Sequence, residues 1–401
     1  MADANATKWL RFAPAVLLGV LGVYQALATN NFPDFFIYQA GSEIGLRGES
    51  PYDIARIRRL ASAQFPDPNL EPKEDAFVLN CGYFLPPMAI LVFAPFAVLT
   101  WPVAKIAWGV TLGLAAVGSA KLPELLREPD DPPRSALCLV VPFLLVLNPL
   151  VLAIVVVGQV TIVTVGCVTV GLWCFSRNRP TLGVLLWSVA FVKPHLALPL
   201  IPLAWYLGGW KRAAAIVAVV AVLNLLGATI AGGSPLFLRD YFEYLSTGHK
   251  AVLYNLVERN PQITSWNRLL VSCGGPLIEL TAVTTLAGYL VWGGLVLGRC
   301  ASTGTKPSAA WACAAAVAGA VVCSQVLAYE LLVLAVAVPW VRGLFASKRR
   351  PWGWAAVLVL VIQLVPVPST NPVFDFYRPV GAMAFALLVL LGPTGNTSAM
   401  R

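Results

Sequence analysis

The chain has 401 residues, of which 58% are hydrophobic and 12% charged, and its mean hydropathy is +0.75. A soluble globular domain carries about 25% charged residues, so this composition excludes a water-soluble enzyme, a disordered protein and a nucleic-acid-binding domain. It identifies an integral membrane protein, in which the net charge of +9 is read by position, since basic residues mark cytoplasmic loops.

Lys8 and Arg11 precede the apolar stretch 12–29. No small-residue cleavage site follows it, so it reads as a retained first helix and not a signal peptide. Further apolar runs cover 86–99, 103–120, 136–157, 160–175, 181–192, 196–208, 213–231, 279–298, 309–327, 329–341, 354–366 and 379–393. A full crossing takes about 20 residues, so the shorter runs are expected to be tilted, broken or re-entrant. The expected fold is a single all-α polytopic membrane domain over residues 1–401, with about 11–13 transmembrane or re-entrant helices. An odd number of crossings from the inside would leave the C-terminus outside. The run 86–99 opens on Pro86-Pro87 and reaches only about 21 Å as a helix, so it is expected to dip in and return.

The basic clusters Lys8/Arg11, Arg177/Arg179, Lys211/Arg212, Arg299/Lys306 and Arg342/Lys348/Arg349/Arg350 can all be cytoplasmic together. That arrangement puts loops 30–82 and 232–278 on the extracytoplasmic side. The first loop carries eight acidic residues against five basic ones, a net charge of −3 in a chain that is +9 overall. Phe35, Phe36, Ile37, Tyr38 and Ile44, then Ile54, Ile57 and Leu60, predict short amphipathic helices on the membrane surface. Leu236, Phe237, Leu238, Tyr241, Phe242, Tyr244 and Leu245 predict another in the second loop. Of the eight cysteines, six lie in or beside apolar runs as small hydrophobic residues. Cys81 and Cys273 fall in the two loops and could pair if these face an oxidising compartment. With two histidines and no CxxC or HExxH spacing, no metal site and no cofactor are expected.

Asp34 follows the first span by four residues. Partial desolvation there raises a carboxylate pKa and suits it to general-base work; the competing reading is a helix N-cap. In LRGESPYD (46–53), a turn at Gly48–Pro51 and a restart capped by Asp53 account for most residues. Gly158-Gln159 divides two apolar runs on the same side as Asp34. FVKPHLALPLIPL (191–203) sets Lys193 and His195 at a break made by Pro194. An ionisable residue at such a break is a functional candidate, here a point charge for a phosphate, against the alternative of a snorkelling lysine. NPQITSWNRLL (260–270) offers Asn260, Gln262 and Asn267 for sugar hydroxyls and Arg268 for a phosphate. Tyr329 and Glu330 sit where 309–327 gives way to 331–341. All five polar clusters share one membrane face, and together they suggest a cleft at the outer interface for a phosphorylated lipid and a polar acceptor.

The chain resembles the GT-C membrane glycosyltransferases, specifically glycosyltransferase family 87, over about residues 12–390. The matching marks are PDFFIYQAG (33–41), PYD (51–53), YFLPPMAILVFAPFAVL (83–99), Asn148-Pro149 with Gly158-Gln159, Lys193-Pro194, and CSQVLAYELLVLAVAVPWV (323–341). Family members often show an Asn-Gln-Ser-like element in the second large loop, where this chain reads NPQITS. They also often carry a histidine near a late Ser-Pro element, where Ser324-Gln325 and Tyr329-Glu330 stand here. The resemblance implies an inverting, metal-independent transfer of a sugar, mannose by analogy, from a polyprenyl-phosphate donor to a lipid or glycan acceptor at the outer face of a bacterial inner membrane. Asp34 would be the general base, with Lys193 and Arg268 on the donor phosphate. Tyr38, Tyr52, Asp53, Tyr83, Gln159, His195, Asn260, Gln262, Asn267, Tyr329 and Glu330 would be substrate contacts. A transporter or flippase of a lipid-linked sugar is the alternative, although no internal repeat is visible.

Overall fold

The computed structural model describes residues 13–28, 32–64, 82–119, 149–247, 263–276, 282–304, 306–347, 349–364 and 377–394. Among these residues the chain is helical throughout, apart from one ribbon of two two-residue strands. Trp101–Ser119, Trp210–Gly232 and Val283–Thr303 are long and apolar enough to cross a membrane. Apolar side chains such as Leu114, Leu226, Leu290 and Leu297 are exposed on them, as suits surfaces facing lipid and not water. This is an all-α membrane protein.

The N-terminal half begins with α1 (Ala13–Ala28), α2 (Pro33–Leu46), α3 (Ile54–Gln64), α4 (Met88–Ala97) and α5 (Trp101–Ser119). α1 and α5 approach through glycines: a Cβ on Gly19 would stand 3.1 Å from the Gly113 Cα, and one on Gly22 would stand 3.3 Å from the Gly109 carbonyl oxygen. Small residues of this kind let membrane helices gain backbone contact that larger side chains forbid. α2 is enclosed by protein on more than the one side that its aromatic residues predict. Phe35 through Ser42 are all buried, because α4 covers one side and α11 (Trp210–Gly232) another. Its Phe35 ring stacks on Trp108 of α5 at 4.9 Å with an interplanar angle of 6°. α3 and α12 (Leu238–Thr247) keep the expected one-sided burial, through Ile57 and Ala61 and through Tyr241 and Tyr244.

The central part runs through α6 (Pro149–Val157), α7 (Thr161–Ser176), α8 (Pro180–Val189), a 3₁₀ turn (Ala190–Val192), α9 (Pro194–Ala197) and α10 (Leu200–Gly208). The apolar runs 181–192 and 196–208 are therefore broken, at Lys193 and again at Pro199. After α11 and α12 come β1 (Ile263–Thr264), α13 (Trp266–Ser272), α14 (Ala282–Thr303), α15 (Ala309–Cys323) and β2 (Val326–Leu327). A ten-residue 3₁₀ segment, Ala328–Ala337, leads into α16 (Val338–Ala346), α17 (Arg350–Leu364) and α18 (Tyr377–Leu391). The run 329–341 is thus not one straight span, and Leu331 through Ala337 are buried in the interior. Buried indoles tie these layers together. The Trp108 N–H donates to the Gly158 carbonyl at 2.9 Å, that of Trp187 to Val168 at 3.0 Å, and that of Trp311 to Val389 at 2.9 Å.

Candidate active site

Asp34 is the second residue of α2, after Pro33 at the favoured first position. The cap position belongs to Phe32, in the left-handed region at φ 78°, with no side-chain cap bond. The capping reading of Asp34 is therefore set aside: its carboxylate turns to another element, where Gln159 Nε2 donates to Asp34 Oδ2 at 2.5 Å. The orientation of that amide follows from its other contacts. Gln159 Oε1 accepts from the Tyr38 hydroxyl at 2.8 Å and from the Val160 N–H at 3.1 Å, which leaves the NH₂ group for Asp34.

Gly158 makes this contact reachable. It ends α6 at φ +74°, and a Cβ there would lie 2.8 Å from the Phe35 Cβ and 3.1 Å from the Phe32 Cβ. The start of α2 is therefore pressed against the turn that delivers Gln159. The Phe32 N–H, which donates to the Val156 carbonyl at 3.1 Å, pins the two together.

Lys193 and Glu330 form the second part of the site. Lys193 occupies the break between the 3₁₀ turn and α9 and is buried, as is Glu330. Its ammonium donates to Thr161 Oγ1 at 3.0 Å and pairs with Glu330 Oε1. His195 Nε2 lies 3.2 Å from the same oxygen, and the Leu327 N–H donates to Glu330 Oε2 at 2.9 Å. The carbonyl of His195 is held in turn by the Tyr289 hydroxyl at 2.6 Å and the Ser324 hydroxyl at 3.1 Å.

The charges of the two parts act on one another. Burial among protein atoms pushes the half-buried Asp34 carboxyl up to about 6, against the opposing pull of Lys193 and the Gln159 hydrogen bond, while Glu330 adds to the rise. The site therefore contains two carboxylates in different company: Glu330 is ion-paired with Lys193, and Asp34 faces the Gln159 amide.

The ribbon connects a third group of residues. β1 and β2 pair antiparallel, with Ile263 opposite Leu327 and Thr264 opposite Val326. β1 leads into α13, whose N-cap Ser265 accepts from the Arg268 N–H at 3.1 Å, and both Asn267 and Arg268 are buried there. Below the ion cluster an apolar cavity is lined by Thr164 and Val168 of α7, Leu196 of α9, Leu200 of α10, Val317 of α15 and Val333 of the 3₁₀ segment. Three of these elements also bear Thr161, His195 and Glu330.

The structure thus joins Asp34, Tyr38, Gln159, Lys193, His195 and Glu330, and ties Asn267 and Arg268 to them through the ribbon. Other expected contacts are placed differently. Asp53 is exposed and accepts from the Arg56 N–H at 3.1 Å, capping α3. Tyr52 and Tyr83 are buried in an aromatic cluster with Phe237, Tyr241 and Tyr244, where the Tyr52 hydroxyl donates to the Leu85 carbonyl at 3.2 Å. These rings fasten the first loop to α12. Asn260, Gln262, Cys81 and the Tyr329 side chain lie outside the described residues, and Cys273 is exposed with a free thiol. Thr161 and Tyr289 escape sequence reading because hydroxyls in apolar helices are common, whereas Ser324 belongs to the late element already noted. The one mark in the sequence is the closeness of Thr161 to Gln159.

The model of glycosyltransferase family 87 matches residues 83–325. No similar curated protein and no similar solved structure was found.

Proposed function

The chain belongs to glycosyltransferase family 87, and from that premise we propose that this membrane glycosyltransferase moves a sugar, mannose in the first instance, from a polyprenyl-phosphate donor to a hydroxyl of a lipid or glycan acceptor. The observation that carries the reading is the pairing of a carboxylate poised near neutrality, Asp34, with a fixed ammonium, Lys193, whose charge reaches it.

Asp34 Oδ2 is held by Gln159, and the carboxylate takes the proton from the acceptor hydroxyl. The acceptor oxygen forms its bond to the anomeric carbon from the face opposite the leaving group, the carbon–oxygen bond to phosphate breaks, and polyprenyl phosphate departs with the electron pair. Configuration is inverted, and no metal is needed if protein cations meet the developing charge. Lys193, steadied by Thr161 and Glu330, meets it as a preorganised charge, with Arg268 of the adjoining corner as a second cation.

We further propose a multi-pass topology in a bacterial inner membrane, with loops 30–82 and 232–278 and the active site extracytoplasmic, on the distribution of basic residues. Membership of a glycosyltransferase family sets the transporter reading aside. The test is transfer of radiolabel from polyprenyl-phosphate-mannose to a membrane-lipid extract by full-length protein in nanodiscs, wild type against Asp34→Asn. Label transfer that survives the substitution overturns the assignment of the base, and no transfer from mannose with transfer from another sugar overturns the donor.

A further inference from the structure

Thr264 and Asn267 are fully buried. The Thr264 hydroxyl and both the nitrogen and the oxygen of the Asn267 amide have no hydrogen-bond partner among the described residues. Buried polar groups are nearly always satisfied, and an amide that is orphaned at both ends is costly to keep. Helix capping does not explain Asn267, since Ser265 already performs it for α13. Packing does not explain it either, because leucine fills nearly the same volume without the desolvation penalty.

The location is informative. Thr264 sits opposite Val326 across the ribbon, and the next residue of that strand, Leu327, donates its N–H to Glu330. Thr264 is therefore one strand away from the segment that leads to the carboxylate holding Lys193, and Asn267 follows it three residues later on α13. On the other side, α13 packs against α18.

We propose that Thr264 and Asn267 form a hydroxyl-reading subsite for a pyranose ring, an inference that rests on the transferase reading above and names how its sugar is selected. A primary amide offers a donor and an acceptor on one edge, and a sugar hydroxyl both donates and accepts, so a vicinal diol satisfies both ends of Asn267 together. A phosphate is unsuited because the amide oxygen would face its charge. A site that pairs buried polar groups with substrate hydroxyls rejects analogues lacking them far more strongly than an apolar pocket could. Both side chains are enclosed, so the sugar reaches them by parting the β1–α13 corner.

The experiment uses full-length protein in nanodiscs, with thermal unfolding measured for wild type, Asn267→Leu and Thr264→Val. Without sugar, Asn267→Leu is expected to unfold at a higher temperature than wild type, because an unpartnered amide has been removed. A lower temperature overturns the proposal, since it means that an internal water or a protein group already satisfies the amide. With a panel of methyl mannopyranoside, glucopyranoside and galactopyranoside, at least one is expected to raise the wild-type midpoint. Asn267→Leu is then expected to bind that glycoside about 10- to 100-fold more weakly. No stabilisation by any of the three, or equal stabilisation of Asn267→Leu, overturns it. If polyprenyl-phosphate-mannose added first abolishes the glycoside shift, the hydroxyls read belong to the donor; if the two shifts add, they belong to the acceptor. These measurements need no turnover, so failure of the Asp34 or donor assignment leaves them readable.

Discussion

Lys193 and Glu330 lie 137 positions apart in the chain and form a buried ion pair, with the His195 imidazole 3.2 Å from the same carboxylate oxygen. The pair joins the break before α9 to the start of the 3₁₀ segment. In doing so it closes one wall of the site that faces Asp34. Removing one partner of such a pair leaves an uncompensated buried charge, at a cost of about 3–5 kcal/mol. Lys193→Met and Glu330→Gln are each expected to lower the thermal midpoint, and the double substitution to lower it by less than the sum of the two. Calorimetry on the three variants checks this, and additive losses would refute the coupling.

Lys193→Ala is expected to raise the KM for the polyprenyl-phosphate donor more than that for the acceptor, because the ammonium is assigned to the phosphate. Steady-state kinetics with each substrate varied in turn decides it. An equal effect on both would mean that Lys193 only supports the wall.

Asp34→Asn removes the general base, a group whose contribution is typically about 10²- to 10⁴-fold in rate. Transfer is expected to fall by that factor while the protein stays folded. The stability change has a definite sign. Burial raises Asp34 to about 6 in the folded protein from 3.8, so the folded state holds the proton more tightly than the unfolded chain does. Stability linked to Asp34 is therefore fully present below about 3.8 and is lost as pH rises to about 6. At pH 7 Asp34→Asn is expected to unfold no lower than wild type, and any advantage is expected to vanish at acid pH. A sharp destabilisation at pH 7 would instead mark Asp34 as structural.

The same value sets the acid limb of the rate. As pH falls through about 6 the base becomes protonated, and kcat/KM is expected to drop about tenfold per pH unit below it. The pH profile of the wild-type enzyme tests this. A flat profile down to pH 5 would exclude Asp34 as the group titrating in catalysis.

Gly158→Ala places a methyl group 2.8 Å from the Phe35 Cβ at a backbone φ of +74°. Strain of this kind costs about 1–3 kcal/mol, and relief by moving α2 would shift Asp34 away from Gln159. A fall in kcat larger than any rise in KM is expected, together with a lower melting temperature. A fall in stability alone would show that the turn does not position the base.

Several parts of this protein were legible in its residues. The sparse charge and the long apolar runs required a membrane protein, because charged groups are expensive in hydrocarbon and backbone polar groups there must be satisfied inside a helix. Pro194 and Lys193 announced a broken helix, and the polar residues Asp34, Gln159, Lys193 and Glu330 stood out because each interrupts an apolar context. Other placements depend on contacts that local sequence does not carry. α2 has the aromatic composition of an interfacial helix, yet its burial depends on α4 and α11, which arrive from elsewhere in the chain. Tyr52 and Tyr83 look like cleft residues, but they are packed with Phe237 and Tyr244.

The sequence by itself therefore determined the solvent of this protein, the places where its helices break and the residue types that must be accounted for, since these follow from local composition and from the transfer energies of single groups. Only the tertiary structure decided which of those residues act on one another. It set Gln159 against Asp34, gave Lys193 to Glu330 and left the Asn267 amide without a hydrogen-bond partner among the described residues. Those pairings join positions 125 and 137 residues apart, and the pKa of Asp34 is the sum of burial and distant charges that only the packed chain brings within reach of one another.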